Sequence, residues 1–508
     1  MFHSLHSISV ARPGARGVRK RVAASNNEQL HGLPSWHHTI EVLPMRALRL
    51  GLLALVMPIA AQTQVAPVPR SDSTGRALSF TFPGMQVGVA EYEEGPTGTT
   101  VFYFPEGVKA AVDVRGGAPG TLNSDAVRLG YESPMMHAVV FSGGSWYGLS
   151  AATGVANELK TMHAEQGEHD FIAGVLGGII FDVGDRRFTR VTPDDRLGGF
   201  ALRSSREGWF PLGARGAGRF AMQGDYYLRD TTADAAGAWP HSGQGGAFRQ
   251  VGPTRIAVFT VVNASGAIVG RDGGVLRCRR NSAGTPCPAI SALIQDRLTP
   301  PRASGGDAGA AGAGSPVGPT GNTTLTLVVT NQKLPWWALQ RLAVQVHGSM
   351  SRAIQPFATE EDGDLLYAVT TDEVENPSLP PMQLSTAASE LAWDAVLNSF
   401  PDLPVPPAAT TVQLSPTALH EFTGEYQFPG GGMLSVTADS SRLAATFSGK
   451  GRIYFDAGRH YRLMSAGPER FLIDAPASDV IQFERRGERV VGITLNPGPW
   501  SQRADKRK

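Results

Sequence analysis

The sequence predicts an α/β protein with a separate all-β domain at its C-terminal end. From about residue 77 to residue 399, strand-like apolar runs alternate with stretches whose apolar residues recur at helical spacing. A Pro-rich segment, 401–408, then interrupts the pattern. After it, short apolar runs recur about every 8–12 residues with turn residues between them. The first pattern is typical of a layered α/β domain, and the second of a small antiparallel barrel or sandwich.

The apolar pattern also predicts individual elements. In the α/β part we expect strands over residues 99–104, 110–114, 138–142 and 256–263, and helices over residues 149–162 and 335–354. In the second helix we expect the periodic apolar residues mostly to face a core. They are Trp337, Leu339, Leu342, Ala343 and Val346. In the C-terminal part we expect strands over residues 434–436, 443–447, 452–455, 461–463, 471–473, 481–483 and 490–495.

Composition narrows the class of protein. With 508 residues, 42% apolar and 18% charged, the chain is typical of a soluble globular protein of roughly three domains. The net charge of +1 provides no basic field that would attract nucleic acid, so no nucleic-acid partner is expected.

Residues 45–61 have the pattern of a secretory signal peptide. Arg46 and Arg49 precede the apolar run 50–59, and Ala60 and Ala61 provide a small-residue cleavage site. The run is shorter than the roughly 20 residues that span a bilayer, so we expect a periplasmic or secreted protein without a stable membrane span. An N-terminal anchor is the alternative. If Met45 is the true start, residues 1–44 are either an upstream mis-start or a disordered extension.

The two cysteines, Cys278 and Cys287, lie in a turn-rich segment. In an oxidising compartment they can close a small disulfide loop. Two thiols without a nearby histidine do not predict a metal site, and neither a metal nor an organic cofactor is expected.

The composition changes sharply before Thr323. Residues 302–321 are nearly all Gly, Ala, Ser and Pro, whereas residues 324–329 alternate like a half-buried strand. Cleavage before Thr323 would expose an α-amine with a pKa near about 8, close enough to neutrality to accept the proton of the residue's own hydroxyl. This pattern suggests an N-terminal-nucleophile hydrolase. The alternative is an ordinary strand threonine behind a simple tether.

Six short motifs follow one another along the α/β part. They are residues 113–121 (DVRGGAPGT), 137–149 (HAVVFSGGSWYGL), 179–182 (IIFD), 261–263 (VVN), 322–324 (NTT) and 362–364 (DGD). In this order they resemble the L-aminopeptidase/D-esterase family, which includes the β-aminopeptidases, over about residues 80–371. The C-terminal part is similar to the lipocalin-like module appended to serine β-lactamase-type enzymes, through residues 422–426 and its strand spacing.

The resemblance implies a four-layer αββα sandwich over residues 77–400, followed by a linker over 401–416 and a β-barrel over 417–500. It implies a precursor that cleaves itself between Asn322 and Thr323 into α and β chains, with self-association of the αβ units. The product would be an exported aminopeptidase that releases N-terminal residues from short peptides, amides or esters. An acyltransferase of the ornithine acetyltransferase type and an uncleaved binding scaffold are the alternatives.

The resemblance also implies roles for individual residues. Thr323 would be the nucleophile and Asn263 an oxyanion donor, while Asp362 and Asp364 would hold the mature α-amine and the ammonium group of the substrate. The predicted substrate pocket comprises Gly143, Gly144, Ser145, Trp146, Tyr147 and His137. Each has a structural alternative: Asn263 can cap a turn, the two aspartates can lie in a solvated turn, and His137 can be a packed core residue.

Overall fold

The computed structural model describes residues 66–129, 135–183, 190–224, 226, 241–278, 287–298 and 322–400 of the α/β part. In the C-terminal part it describes residues 414–429, 431–439, 442–449, 458, 460–465, 467–473, 480–495 and 502–507. The predicted signal peptide, the residues before it and the Gly-rich segment 302–321 lie outside the described residues, as does most of the predicted linker. None of the helices found in these ranges is long and apolar enough to cross a membrane.

The α/β part contains short and long strands in chain order. They are β1 (Ala77–Ser79), β2 (Gln86–Tyr92), β3 (Thr97–Val114), β4 (Thr121–Leu122), β5 (Met136–Ser142), β6 (Val175–Ile179), β7 (Arg206–Glu207), β8 (Trp209–Pro211), β9 (Gln244–Val251), β10 (Thr254–Asn263), β11 (Ala267–Val269), β12 (Val275–Arg277), β13 (Thr323–Gln332), β14 (Ile354–Gln355) and β15 (Leu365–Val374). The helices are α1 (Ser124–Arg128), α2 (Leu149–Glu165), α3 (Asp195–Arg203), α4 (Ile290–Leu298), α5 (Trp336–Ser349) and α6 (Pro381–Leu397).

The main strands form one continuous hydrogen-bonded set in the order β4-β6-β5-β3-β15-β13-β10-β9, and β2 and β7 join it through β3. The long strand β3 belongs to both halves. Its first part pairs with β2 and β5, and its last part pairs with β15. The prediction of two separate strands over 99–104 and 110–114 is therefore wrong. Residues 105–107 form an irregularity within one strand, where Gly107 takes a left-handed backbone conformation.

Alternating side chains place the two halves face to face. Along β10, Ala257, Phe259 and Val261 join a core that also contains residues of β3, β5 and β13. The opposite face of β10 packs against helices α5 and α6. Residues of β2, β3 and β5 likewise turn their other face to helices α2 and α3. The layers therefore run helix, sheet, sheet, helix, which confirms the predicted αββα sandwich.

Helix α5 shows how its period selects a buried face. Leu339, Leu342, Ala343 and Val346 are buried against the sheet, as predicted. Trp337 was expected to join them, but its residue is 61% exposed. It precedes Leu339 by two positions, which is about 200° around the helix axis and therefore on the outer face.

The C-terminal part is a closed antiparallel barrel, which decides between the two predicted alternatives. Its elements are α7 (Pro416–His420), β16 (Gly424–Gln427), β17 (Gly432–Ala438), β18 (Leu443–Gly449), β19 (His460–Ser465), β20 (Arg470–Ile473), β21 (Val480–Arg486), β22 (Arg489–Leu495) and β23 (Gln502–Lys506). The predicted limit at residue 500 is too short because β23 pairs with both β16 and β22. The run 502–506 was missed because it is polar apart from Ala504. The predicted strand 452–455 lies outside the described residues.

The interior of the barrel is filled by apolar side chains. Phe422, Phe471 and Phe483 pack together, with ring centroids 4.6–5.3 Å apart. Elsewhere in the chain, Cys278 and Cys287 are joined by a disulfide, and they pack with Ala267 and Leu293 in a small separate cluster.

Phe259 tests the contact between the two sheets. It is fully buried, and its ring lies 4.8–5.5 Å from the rings of Phe80, Phe102 and Phe210. Phe259→Ala should lower the free energy of unfolding by about 3–5 kcal/mol because it removes large apolar contacts and leaves a cavity. Ile172→Ala, at a residue 87% exposed, should change it by less than about 0.5 kcal/mol. Denaturant unfolding measures both, and equal effects of the two variants would contradict the assigned core.

Candidate active site

Thr323 begins strand β13 and is buried. The Thr323 hydroxyl donates to the carbonyl oxygen of Asn322 over 2.6 Å. The amide of Gly363 donates to the same carbonyl oxygen over 2.7 Å. The predicted nucleophile therefore lies against the carbonyl group that it would have to attack, and that carbonyl is already polarised.

Asn263 is the last residue of β10 and lies directly opposite Thr323 in the antiparallel pair. Its side-chain oxygen accepts from the backbone N–H of Met222 over 3.0 Å, and its Nδ2 donates to the carbonyl of Phe181 over 3.0 Å. These bonds fix the orientation of the amide. Because Nδ2 carries two hydrogens, it can donate a second hydrogen bond in addition to the one to Phe181.

The two predicted aspartates are fully buried, not part of a solvated turn. Asp362 accepts from the amides of Ser265 and Thr359 and from the Thr359 hydroxyl, at 2.7–3.2 Å. Asp364 accepts from the amide of Thr324, and from that of Ala358 over 3.0 Å. Asp364 thus contacts the residue that follows the predicted nucleophile.

Burial controls the charge of this acidic pair. Removal from water raises the pKa of Asp364 to about 8, and the neighbouring charge of Asp362 adds to the increase. Burial also raises the pKa of Asp362, although hydrogen bonds from Thr359 and Ser265 act in the opposite direction. Around neutral pH the continuous chain therefore carries a protonated Asp364 next to the peptide of Thr323 and Thr324.

The motif 113–121 holds the aspartate segment in place through its backbone. The amides of Arg115 and Gly116 donate to the carbonyl of Asp364, and the amide of Ala118 donates to the carbonyl of Asp362. A side chain at Gly116 would lie 2.3 Å from backbone atoms of both aspartates. Only glycine permits the two backbones to approach so closely.

The predicted pocket segment joins the site through the residues that follow β6. The Ser145 amide donates to the carbonyl of Ile180, and the Gly144 amide donates to Asp182. Phe181, between these two, accepts from Asn263. Gly144 and Ser145 both have left-handed backbones, and this turn leaves Trp146 and Tyr147 72% and 73% exposed. Gly143 lies against Asp182 at the same turn.

His137 lies apart from this segment. It is near the start of β5, whereas Gly143 follows the end of that strand, about 20 Å away at the rise of an extended chain. Its Nδ1 accepts from the amide of Gly174, and its ring packs edge-on against Phe171. Burial and the nearby His163 lower its pKa. The structure thus brings Gly143 to Tyr147 together with Asn263, and places His137 in a different packing cluster.

Sequence patterns missed the backbone donors of the site. A backbone donor cannot be recognised from the type of its residue, which is why these amides were missed: Ala358, Thr359, Gly363 and Ser265. The glycine of Asp-Gly-Asp was the one visible sign of such a donor. Gln223, next to the amide that orients Asn263, was also missed. It is buried, and within the described part of the chain neither atom of its side-chain amide has a hydrogen-bond partner. The described residues contain no cluster of side chains suited to a metal ion.

The geometry of these residues is suited to acyl transfer. A buried threonine hydroxyl contacts a polarised carbonyl, a fixed asparagine lies opposite it, and an acidic pair contacts the next residue. Comparison with known proteins identifies the family. A model of peptidase family S58 matches residues 81–402. The chain belongs to peptidase family S58. It is thus a hydrolase of the aminopeptidase type, as predicted.

Several relatives match most of the α/β part. A 6-aminohexanoate-oligomer endohydrolase of Paenarthrobacter ureafaciens is 38% identical over 356 residues, which are 66% of this chain and 88% of that protein. An uncharacterized aminopeptidase of Mycobacterium leprae is 31% identical over 285 residues, covering 55% and 72% respectively. The solved l-aminopeptidase d-ala-esterase/amidase of Ochrobactrum anthropi is 16% identical with a TM-score of 0.43, covering 63% of this chain and 88% of that one.

The raised pKa of Asp364 predicts how stability depends on pH. Its carboxyl group keeps a proton in the folded chain up to about pH 8, whereas its unfolded value is near 3.8. The contribution of Asp364 to the free energy of unfolding should therefore fall as pH rises from about 4 to about 8, since over this range its folded state binds the extra proton.

The Thr323→Ala chain, which lacks the attacking hydroxyl, is the background for this measurement. Adding Asp364→Asn should make the fall with pH shallower, while adding Asp125→Asn, at an exposed carboxylate, should leave it unchanged. Urea unfolding from pH 4.5 to 8.5 gives the slopes. Equal slopes with and without Asp364→Asn would contradict the raised pKa.

Proposed function

We propose that the protein is an exported aminopeptidase that cleaves itself between Asn322 and Thr323 and then uses Thr323 as its nucleophile. The hydrogen bond between the Thr323 hydroxyl and the Asn322 carbonyl carries this proposal. Attack by the hydroxyl oxygen on the carbonyl carbon converts the peptide bond into an ester, and water hydrolyses that ester. The products are a carboxylate at Asn322 and a free α-amine on Thr323.

In the mature enzyme the α-amine of Thr323 would take the proton of its own hydroxyl as the oxygen attacks the substrate carbonyl. Asn263 lies opposite Thr323 in the strand pair, and the second hydrogen of its Nδ2 would stabilise the oxyanion. The C–N or C–O bond of the substrate then breaks, and the leaving group takes the proton held by the α-amine. The acyl group stays on Thr323 until water releases it as a carboxylic acid and restores the hydroxyl. No metal or organic cofactor takes part in these steps.

Asp362 and Asp364 support the α-amine in this mechanism. Asp364 already accepts from the amide of Thr324, so its carboxyl group lies one residue from the nitrogen that cleavage sets free. An ammonium group next to a buried carboxyl group stabilises the carboxylate and lowers its pKa. Self-cleavage would therefore change Asp364 from a neutral acid into a counterion for the new chain start, and Asp362 would contribute to the same field.

The substrates we propose are short peptides and the amides or esters of amino acids. The relative from Paenarthrobacter ureafaciens is named for hydrolysis of 6-aminohexanoate oligomers, which are linear amides with long methylene chains. Trp146 and Tyr147 expose aromatic surface beside the turn that contacts residues 180–182. Such a surface suits the apolar part of an extended amide substrate.

Export and self-association complete the proposal. The signal-peptide pattern of residues 45–61 supports export. The disulfide between Cys278 and Cys287 also fits an oxidising compartment. The family resemblance supports assembly of the cleaved αβ units into oligomers.

Variants of Thr323 test the shared nucleophile. Thr323→Ala should leave a single uncleaved polypeptide and reduce amide hydrolysis at least about a thousandfold, because both reactions lose the attacking oxygen. Thr323→Ser should retain both reactions at altered rates. Thr326→Val, which removes a hydroxyl from the same strand, should retain both at near wild-type rates. Denaturing gels and turnover of an amino-acid p-nitroanilide are the measurements, and cleavage at the same bond in Thr323→Ala would overturn the proposal.

Trp146 tests the proposed binding surface. Trp146→Ala should raise KM for a 6-aminohexanoate or peptide oligomer about tenfold with a smaller change in kcat, since it removes apolar contact and not a reacting group. Trp337→Ala removes another exposed tryptophan, from the outer face of helix α5, and should change KM by less than about twofold. Steady-state kinetics of the two variants decide the matter. Equal KM values would show that Trp146 does not contact the substrate.

A further inference from the structure

We propose that the backbone N–H of Gly363 is the oxyanion donor of the self-cleavage step, and that position 363 must be glycine for this reaction. This inference rests on the proposed self-cleavage and assigns a specific group to it. The Gly363 amide donates to the carbonyl oxygen of Asn322 over 2.7 Å, and that oxygen becomes negatively charged when its carbon is attacked. Gly363 thus contacts a reacting atom.

The two named donors to that carbonyl oxygen have different fates. The Thr323 hydroxyl, 2.6 Å away, must give up its hydrogen bond when its oxygen bonds to the carbonyl carbon. The Gly363 N–H bond points at the same oxygen throughout, because a backbone amide is fixed by its chain. The developing charge therefore stays hydrogen-bonded during the step in which the hydroxyl is consumed.

The atoms balance without any co-reactant other than water. The Thr323 oxygen bonds to the carbonyl carbon of Asn322, and the resulting oxyanion is held by Gly363. The carbon–nitrogen bond then breaks, and the proton from the hydroxyl ends on the departing nitrogen of Thr323. Water adds to the ester, which returns the hydroxyl to Thr323 and leaves a carboxylic acid on Asn322.

Two features of the fold hold the Gly363 amide in this position. Asn322 and Asp362 form a parallel bridge, so the two chain segments run side by side just before β13 and β15 begin. On the other side, the amide of Ala118 donates to the carbonyl of Asp362 over 2.9 Å. The donor is therefore preorganised in a buried setting, where electrostatic stabilisation is strongest.

A side chain at position 363 would disturb the nucleophile directly. Its Cβ would lie 2.6 Å from the Thr323 hydroxyl oxygen and 2.8 Å from the carbonyl oxygen of Ala118. The Gly363 backbone is not left-handed, so alanine is not opposed by its own torsion angles. The requirement for glycine comes from the space that Thr323 occupies.

The most direct test removes the N–H group of residue 363 without adding a side chain that would clash with Thr323. Cell-free translation can place glycolic acid at position 363, which changes the amide linkage to an ester. Self-cleavage should slow by about 10²–10³-fold, the effect of losing one oxyanion donor. The control is the same replacement at Gly467 in the barrel, a position where even an added Cβ would lie 3.5 Å from its nearest neighbour, Arg470. It should leave the rate unchanged.

Gly363→Ala is the genetic counterpart, with Gly467→Ala as its control. We expect the uncleaved chain of the alanine variant to accumulate, because it should be cleaved at least tenfold more slowly than the wild-type chain. Circular dichroism and thermal unfolding of the uncleaved Gly363→Ala chain, which keeps the Thr323 hydroxyl, are compared with those of the uncleaved Thr323→Ala chain. This comparison separates a folding defect from a chemical one.

The outcomes distinguish this inference from the function on which it rests. If the wild-type chain is never cleaved before Thr323, the proposed function fails. If the wild-type chain is cleaved there and the folded ester and alanine variants are cleaved within about threefold of its rate, self-cleavage stands and the role of Gly363 is overturned. A folded, slowly cleaving ester variant supports it.

Discussion

The candidate site depends on the hydrogen-bonded carbonyl of Asn322. It lies where strand β13 begins, between the hydroxyl of the next residue and the amide of Gly363. This arrangement requires the parallel pairing of β13 with β15, which brings the residues just before the two strands together. The site is therefore a consequence of sheet topology, since adjacent parallel strands begin at the same edge.

The acidic pair close to this carbonyl is held in position by hydrogen bonds from the surrounding backbone. Asp362 and Asp364 are buried, and each accepts backbone N–H bonds from neighbouring segments. Such bonds favour the charged forms, but burial and mutual repulsion outweigh them at Asp364. Burying two carboxyl groups without a cation lowers the stability of the fold. A newly created α-amine beside them would supply the missing positive charge.

The alternation of strands and helices could be predicted from the sequence because these elements have strong apolar periods, whereas the αββα layering was implied by the family resemblance. The order of six motifs predicted which segments would meet, and residues 143–147, 263, 323 and 362–364 do converge. His137 was grouped with them because it is close in sequence, but a strand carries its two ends far apart. Trp337 was misjudged because it is apolar but lies on the outer face of its helix. Strand β23 was missed because its residues are mostly polar.

The backbone amides that complete the site could not have been predicted from residue types. Mass spectrometry combined with N-terminal sequencing of the purified wild-type protein tests the central claim most directly. The account predicts two polypeptides, the second of which begins at Thr323 with an unblocked α-amine. A single polypeptide that remains continuous through residues 322 and 323 and still hydrolyses an amide substrate would contradict it.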